Sequence, residues 1–117
     1  MKYMLLIYQN PQAWDELPES ARTAVMDEAG VIFQELSASG EVVGGEPLAP
    51  AAAAKTVRVR GGVPEVTDGP FIEAKEQFVG YLMVDVKSEE RALEIAKRWP
   101  DARYWGMEVR AVLDVGE

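Results

Sequence analysis

Residues 78–86, Phe-Val-Gly-Tyr-Leu-Met-Val-Asp-Val, constrain the fold more than any other stretch of the chain. Both alternating sets of side chains in this segment are mainly apolar, so neither face suits contact with water. Strands of this kind are typical of the middle of a sheet that is covered on both sides. Residues 3–8 have the same property. We therefore expect two central strands, each buried on both faces.

Two helices are predicted, one after each of these strands. The first begins near Pro18, carries apolar residues at steps of three and four, and ends at Gly40, a natural C-terminal cap. The second begins after Ser88, a favourable N-cap, and stops before Pro100. Its predicted inner stripe includes Ala92, Leu93, Ala96 and Trp99. A single apolar stripe lets each helix cover a sheet from one side.

Shorter strand segments complete the pattern. Residues 56–60 and 63–67 alternate in period two around Gly61 and Gly62, which predicts a hairpin with a two-residue turn. Pro64 cannot donate to a strand ladder, so the returning strand lies at an edge or breaks its pairing there. Further strands are predicted at 41–46 and 104–113, with a connecting loop at 48–54.

The resulting order is β, α, β, hairpin, β, α, β, which predicts an α+β ferredoxin-like split βαβ fold with an inserted hairpin. At 117 residues, the chain suits one domain spanning residues 1–117. Two helices cover one face of such a sheet, whereas residues 3–8 and 78–86 call for cover on both. An identical sheet is the commonest second layer, so we expect a homodimer with a cleft between the subunits.

Composition excludes several kinds of chemistry. The chain has neither cysteine nor histidine, which rules out disulfides, thiolate nucleophiles and metal ligands of either type. Any acid–base catalysis would therefore have to use Asp, Glu, Lys or Tyr side chains. Twelve Lys and Arg against twenty Asp and Glu give a net charge of −8, which opposes direct binding to nucleic acid or anionic lipid.

The sequence also bears on the cellular location of the protein and on whether it needs a cofactor or a metal ion. No apolar run approaches the roughly 20 residues of a membrane helix, and the N-terminal segment does not resemble a secretion signal. We expect a cytoplasmic protein with no membrane partner and no cofactor. An all-oxygen metal site formed by Asp68, Glu73 and Glu76 is the metal alternative, and Lys75 disfavours it by supplying a competing positive charge.

Residues 67–81 concentrate ionisable groups beside the predicted central strand. The Asp-Gly-Pro sequence at 68–70 favours a tight turn, and the segment then leads charged side chains directly into an apolar strand. Groups placed this way can face the edge of a cavity, where desolvation and neighbouring charges shift their pKa values. The candidate catalytic residues are Asp68, Glu73 and Lys75. The candidate binding residues are Tyr8, Phe71, Glu76 and Tyr81.

Each candidate also has a purely structural interpretation. Asp68 can be a turn residue whose carboxylate accepts from nearby backbone N–H groups. Glu73, Lys75 and Glu76 can form a solvated cluster with little effect on stability. The tyrosines can be core aromatic residues whose hydroxyls reach one partner. The sequence leaves these alternatives open.

The motif Thr-Asp-Gly-Pro-Phe at 67–71, followed by Glu73, Lys75-Glu76 and Gly80-Tyr81, resembles the DGPF branch of the YCII-related proteins. Residues 1–8, 42–48 and 107–110 are similar to that family too. The resemblance covers almost the whole chain. It implies a ferredoxin-like domain, two copies of which form a dimeric α/β barrel. This agrees with the fold predicted from the residues.

The resemblance carries less information about activity. It implies enzymes that use a His–Asp pair in the cleft, but this chain has no histidine, so that pair does not transfer. Asp68 alone can be compared with the acidic member. Position 74 is Ala where many relatives have Thr, which removes a hydroxyl beside the predicted site. Some DGPF relatives are encoded beside extracytoplasmic-function sigma factors.

Two functional hypotheses follow. In the first, the protein is a small-molecule enzyme of the lyase or isomerase type, with Asp68 or Glu73 as acid–base and Lys75 or Tyr81 holding developing negative charge. In the second, it is a non-catalytic ligand sensor or regulatory protein connected with extracytoplasmic-function sigma factors. The first hypothesis places a substrate in a cleft near the dimer interface. In the second, the same cleft senses a ligand or the acidic surface binds a protein partner.

Overall fold

A computed structural model describes residues 1–72 and 74–115. The elements follow in the order β1 (Lys2–Gln9), α1 (Pro11–Glu16), α2 (Glu19–Ser39), β2 (Val42–Pro47), β3 (Lys55–Arg60), β4 (Val63–Asp68), β5 (Gln77–Asp85), α3 (Glu89–Arg98), α4 (Asp101–Tyr104) and β6 (Gly106–Ala111). A single 3-10 turn, Ala51–Ala53, lies within the predicted connecting loop.

The main sheet is antiparallel and has the strand order β2-β5-β1-β6. This is the order of a ferredoxin-like α+β fold, and it confirms that β1 and β5 are the two central strands. Leu5 pairs with Leu82, and Leu6 pairs with Tyr81. The predicted hairpin forms a separate two-stranded sheet from β3 and β4, with Gly61 and Gly62 at positive φ in the turn.

One face of the main sheet carries the hydrophobic core. Leu5 and Val84 are fully buried there, against Leu36 of α2 and Ile95 of α3. Burying a side chain of this size contributes about 1.5–3 kcal/mol, so each of these four residues stabilises the packing of the helices on the sheet. The cluster also includes Tyr3, Ile32, Leu82, Val86, Ala92 and Trp99.

The predicted helix ends are confirmed. Pro18 directly precedes α2, and Gly40 ends it with φ of 80°. The Ser88 hydroxyl accepts a hydrogen bond from the Arg91 N–H at 3.1 Å, which caps α3. Trp99 closes α3 immediately before Pro100. The boundaries of both long helices therefore follow from local chemistry in the sequence.

The opposite face of the main sheet carries a second set of apolar side chains. By strand register, Met4, Leu6 and Tyr8 of β1 lie there, beside Met83 of β5. All four are half-buried, while the core helices pack against the other side of the sheet. We refer to this surface as the open face. Its second layer, a partner subunit, stays a prediction.

Three details differ from the sequence-based expectations. Residues 104–113 are not one strand, because the backbone turns through α4 before β6 begins at Gly106. A short helix, α1, which is not predicted from the sequence, follows Asn10 and has Pro11 in its first position. Leu93 is 38% exposed and does not belong to the buried stripe of α3, which consists of Ala92, Ile95 and Ala96.

None of the helices in the described part of the chain combines the length and apolar character needed to cross a membrane.

Candidate ligand-binding cleft

A large cleft opens beside α2, over the helix-covered face of the sheet. Its volume is about 1430 Å³. Its other walls come from residues between Gly45 and Ala52 and from five residues after the hairpin, namely Gly69, Pro70, Ala74, Lys75 and Gln77. Drug-sized ligand sites usually fall between about 300 and 1,000 Å³, so this cleft can hold a small organic molecule with room to spare.

The lining divides into a buried part and an exposed part. We call the buried lining residues the cleft floor, which consists of Val25, Gly80, Leu82, Trp99 and Asp101. The exposed lining, which we call the rim, includes apolar residues such as Met26, Phe33 and Leu48. Trp14, which is half-buried, adds a further aromatic side chain. The cleft therefore combines an apolar wall with few polar groups, as most small-molecule sites do.

Two glycines allow the strands to approach closely along one wall. A Cβ atom added at Gly45 would lie 2.8 Å from the backbone oxygen of Tyr81. A Cβ atom added at Gly80 would lie 3.0 Å from the backbone oxygen of Glu46. Both glycines border the cleft. Because these two residues have no side chains, β2 and β5 can pack closely and no side chain from either position occupies the cleft.

Helix α1 brings Trp14 to the cleft. The Asn10 side chain accepts from the Ala13 N–H at 3.0 Å and caps the start of this short helix. At its other end, Arg22 of α2 donates to the carbonyl oxygens of Asp15 at 3.1 Å and Leu17 at 2.8 Å. Carbonyls at a helix end need such partners, so the guanidinium anchors α1 against α2.

Asp101 is the buried ionisable group of the cleft floor, with 4% of its surface exposed. Its Oδ1 accepts from Gln9 Nε2 at 2.9 Å, and its Oδ2 accepts from Trp99 Nε1 at 3.0 Å. Burial raises the pKa of this carboxyl above its usual value, while the two hydrogen bonds act in the opposite direction. Gln9, which also lines the cleft, is thereby held by a carboxylate.

The described charged groups of the lining are mainly acidic. Asp15 and Glu46 lie on the rim, and Asp101 lies in the floor. Lys75 supplies an ammonium group on the rim. No set of three or more Asp or Glu side chains within residues 1–72 and 74–115 is arranged to hold a metal ion.

Two of the predicted site residues border the cleft. Lys75 is exposed on the rim. Tyr81 is half-buried and also contributes to the lining, although strand register pairs it with Leu6 and Glu46 on the open face. Among the described ionisable residues of the loop, Lys75 therefore reaches the cavity edge, whereas Asp68 and Glu76 do not.

Asp68 and Tyr8 lie elsewhere. Asp68 ends β4, is exposed, and forms an ion pair with Lys55 across the hairpin. The Tyr8 hydroxyl donates to Glu108 Oε1 at 3.0 Å on the open face, and its ring centroid lies 5.9 Å from that of Phe78. Burial and this bond to Glu108 raise the pKa of Tyr8.

The remaining predicted residues do not join the described lining either. Phe71 is exposed, and the Arg58 guanidinium carbon lies 4.7 Å from its ring centroid. Glu76 is exposed and lies outside the lining. Glu73 falls outside the described residues.

Sequence reasoning missed Asp101 and Gln9. Asp101 follows Trp99 and Pro100 and lies between the predicted end of the second helix and the strand predicted at 104–113. Pro100 indicates that a new helical turn can begin here, but no local pattern predicts that the Asp101 carboxylate points inward. The pairing with Gln9 spans 92 residues and is not visible in the sequence.

Residues 1–115 match the model of the YCII-related domain family. The chain belongs to that family. An uncharacterised protein of Rhizobium meliloti strain 1021 is 30% identical to this YCII-related chain over 97 residues, which cover 83% of this chain and 78% of that protein.

A solved structure supports the fold assignment of the YCII-related chain. It is a 5-chloro-2-hydroxyhydroquinone dehydrochlorinase from Burkholderia phenoliruptrix AC1100, in complex with 2,5-dihydroxybenzoquinone. The two structures are similar over 97% of this chain and 94% of that one, with a TM-score of 0.56 and 12% sequence identity. At this identity, the likeness shows a shared fold.

Proposed function

We propose that this protein binds a small organic molecule in the cleft beside α2. The observation that carries the proposal is the cleft itself, which has a volume of about 1430 Å³ and a mainly apolar lining with a buried carboxylate in its floor. A large apolar pocket with a few convergent polar groups is the usual form of a ligand site.

Cofactor-free acid–base catalysis is the reaction class that fits this site best. Lys75 on the rim would hold negative charge that develops on a carbonyl-type substrate. Asp68 directly precedes Gly69 of the lining and remains a candidate acid–base group, as does Glu73. The dehydrochlorinase with the same fold, which binds a hydroxylated quinone ring, supports a ring compound as ligand.

We also propose that two copies of the chain associate through the open face. Half-buried Met4, Leu6 and Met83 form an apolar surface on the side of the sheet opposite the core helices. A second sheet would complete the burial of β1 and β5 and form a dimeric α/β barrel.

The Thr-Asp-Gly-Pro-Phe motif at 67–71 further supports membership of the DGPF branch.

A non-catalytic sensor is the alternative, and one observation favours it. Asp68 is exposed and paired with Lys55, which suits a structural role at the base of the hairpin better than proton transfer. Such a sensor would use the same cleft, and the sigma-factor connection of DGPF relatives would place it in transcriptional control. Turnover of a bound compound separates the enzyme from the sensor.

Native mass spectrometry of protein purified gently from its own cells tests the proposal. We expect a dimer that carries a discrete small-molecule mass. Gly30→Trp should lose this mass, because Gly30 lines the cleft and has open space where a side chain would begin. Ala24→Trp is the matched control, since Ala24 is exposed on the same helix but outside the lining. A mass retained equally by both variants would place the ligand elsewhere.

A further inference from the structure

The chemistry of the cleft floor restricts the kind of ligand it can take. Asp101 is the ionisable side chain among the buried lining residues of the described chain, and it borders the cleft with 4% of its surface exposed. The other floor residues offer apolar surface or backbone, apart from the Trp99 indole. A ligand that reaches the floor therefore meets one charged group.

The Asp101 carboxylate retains capacity to accept hydrogen bonds. An ionised carboxylate offers about four lone-pair positions on its two oxygens. Gln9 Nε2 uses a position on Oδ1, and Trp99 Nε1 uses a position on Oδ2. These two donors also fix the carboxylate in place, so a ligand donor would bind to a preorganised acceptor.

The side chains next to Asp101 do not fill all of the hydrogen-bond acceptor positions on its carboxylate. The Trp99 indole has a single N–H, and that N–H is directed at Asp101. Gln9 turns its amide nitrogen toward the carboxylate, which can only accept when ionised, so the Gln9 oxygen is the free end of the amide. Asp101 and Gln9 therefore present more acceptor positions than donors to a ligand, because one Gln9 N–H and the Trp99 N–H already bond to the carboxylate.

The walls and the charge of the cleft narrow the ligand further. Trp14 and Phe33 provide aromatic surface, and Met26 and Leu48 provide aliphatic surface. The described lining carries three carboxylates and the ammonium of Lys75, a balance that disfavours an anionic ligand. Aromatic walls around an acceptor favour a ring with a donor at its edge.

We propose that Asp101 is the specificity-determining residue of the cleft, and that it selects a neutral or cationic ring compound by accepting a hydrogen bond from its hydroxyl or ammonium group. This inference rests on the proposed function, because it names the ligand class of the same cleft. Hydrogen bonds to a charged acceptor are about twice as strong as those between neutral groups, so the donor of the ligand should dominate selectivity.

Phenol and anisole are suitable probes, because they share a ring and differ in having a hydroxyl or a methoxy group. Each would be titrated into the full ¹⁵N-labelled chain while amide and indole resonances are followed. We expect phenol to bind at least about tenfold more tightly than anisole, as one charge-assisted hydrogen bond predicts. The Trp99 indole resonance should move with phenol more than with anisole, since this N–H shares the Asp101 acceptor.

Asp101→Asn should bring the affinities for phenol and anisole to within about threefold of each other, since the charge assistance is lost. Asp27→Asn is the charge-matched control, because Asp27 is exposed on α2 outside the lining, and it should keep the preference. A merely structural role of Asp101 would weaken both probes equally and leave their ratio unchanged. If Asp101→Asn does not fold, the response of the Trp99 indole in the unmodified chain decides the question.

The outcomes separate this inference from the proposed function. Equal binding of phenol and anisole within the cleft would overturn the role of Asp101 and leave a ligand site standing. An unchanged preference for phenol over anisole in Asp101→Asn would likewise overturn the role of Asp101 and leave a ligand site standing. If neither probe moved any resonance of the cleft lining, both the inference and the proposed site would be overturned.

Discussion

Arg91 and Glu41 are 50 positions apart in the sequence and form a two-pronged ion pair, with Nε 2.7 Å from Oε2 and Nη2 2.8 Å from Oε1. The pair connects the first turn of α3 to the residue that precedes β2. Both side chains are about three-quarters buried. The guanidinium lowers the pKa of Glu41 to about 2. Helix and strand are thereby linked by a planar contact with two parallel hydrogen bonds.

Glu41→Gln should lower the free energy of unfolding at neutral pH by about 1.5–3 kcal/mol, the usual contribution of hydrogen bonds to charged groups. The Glu41 carboxyl titrates near its ordinary value when unfolded and near 2 when folded. Its contribution is therefore complete above about pH 4.5 and is lost as the pH falls toward 2. Urea unfolding at several pH values measures this. A difference between the two proteins that stayed constant down to pH 2 would contradict the assignment.

Gly45→Ala should destabilise the protein by about 1–3 kcal/mol, the usual cost of overpacking. The new Cβ atom would lie 2.8 Å from the Tyr81 oxygen and 3.1 Å from Leu82 Cδ2, so β2 would have to move away from β5. Gly44→Ala is the matched control, because its Cβ would meet Met83 Cβ at an ordinary 3.7 Å. Thermal unfolding compares the two variants. Equal losses would show that the close approach at Gly45 is unimportant.

The same Gly→Ala substitution should have opposite effects at two positions of α2. Gly40 ends the helix at φ of 80°, so Gly40→Ala should cost about 1 kcal/mol through backbone strain. Gly30 lies within the helix and a Cβ there meets nothing within 4 Å, so Gly30→Ala should stabilise by about 0.5–1 kcal/mol. Denaturant midpoints would reveal the signs. Two changes of the same sign would refute this account of the helix end.

The carboxyl of Asp101 should titrate above its ordinary value of 3.8, because burial penalises its charged form. Its folded pKa exceeds its unfolded pKa, so the stability from its neutral form is present below pH 3.8 and is lost as the pH rises through the folded pKa. Gln9→Leu should raise this pKa further by removing a donor to the charged form. Carboxyl ¹³C resonances would report the titration. A lower pKa in Gln9→Leu would contradict the argument.

Leu6→Glu should convert the proposed dimer into a monomer, because it places a charge in the middle of the open face. Val31→Glu makes the same change at an exposed position of α2 and should leave the dimer intact. Sedimentation velocity at micromolar protein distinguishes the two species. An unmodified chain that sediments as a monomer would remove the basis for the dimer.

Local patterns were sufficient to predict most of the fold. The apolar runs at 3–8 and 78–86 correctly indicated the central strands, and Gly40 and Ser88 correctly marked helix ends. These signals depend on residues within one element or one turn. The short helices α1 and α4 were missed because each has too few residues for a periodic pattern.

The candidate site could be predicted only in part. Lys75 borders the cleft whereas Asp68 does not, and Asp101 reaches the floor through contacts with residues distant in sequence. The cleft also depends on the absence of side chains at Gly45 and Gly80, which a search for reactive groups overlooks. Long-range packing, rather than local propensity, determines which polar residues share one cavity.

The position of β1 between β5 and β6 has a consequence for biosynthesis. A growing chain emerges from the ribosome N-terminus first, yet both neighbours of β1 come from residues beyond 76. The backbone N–H and C=O groups along both edges of this apolar strand therefore stay unpaired while most of the polypeptide is translated. Such edges favour aggregation, and premature termination before β6 would leave one edge of β1 permanently unpaired.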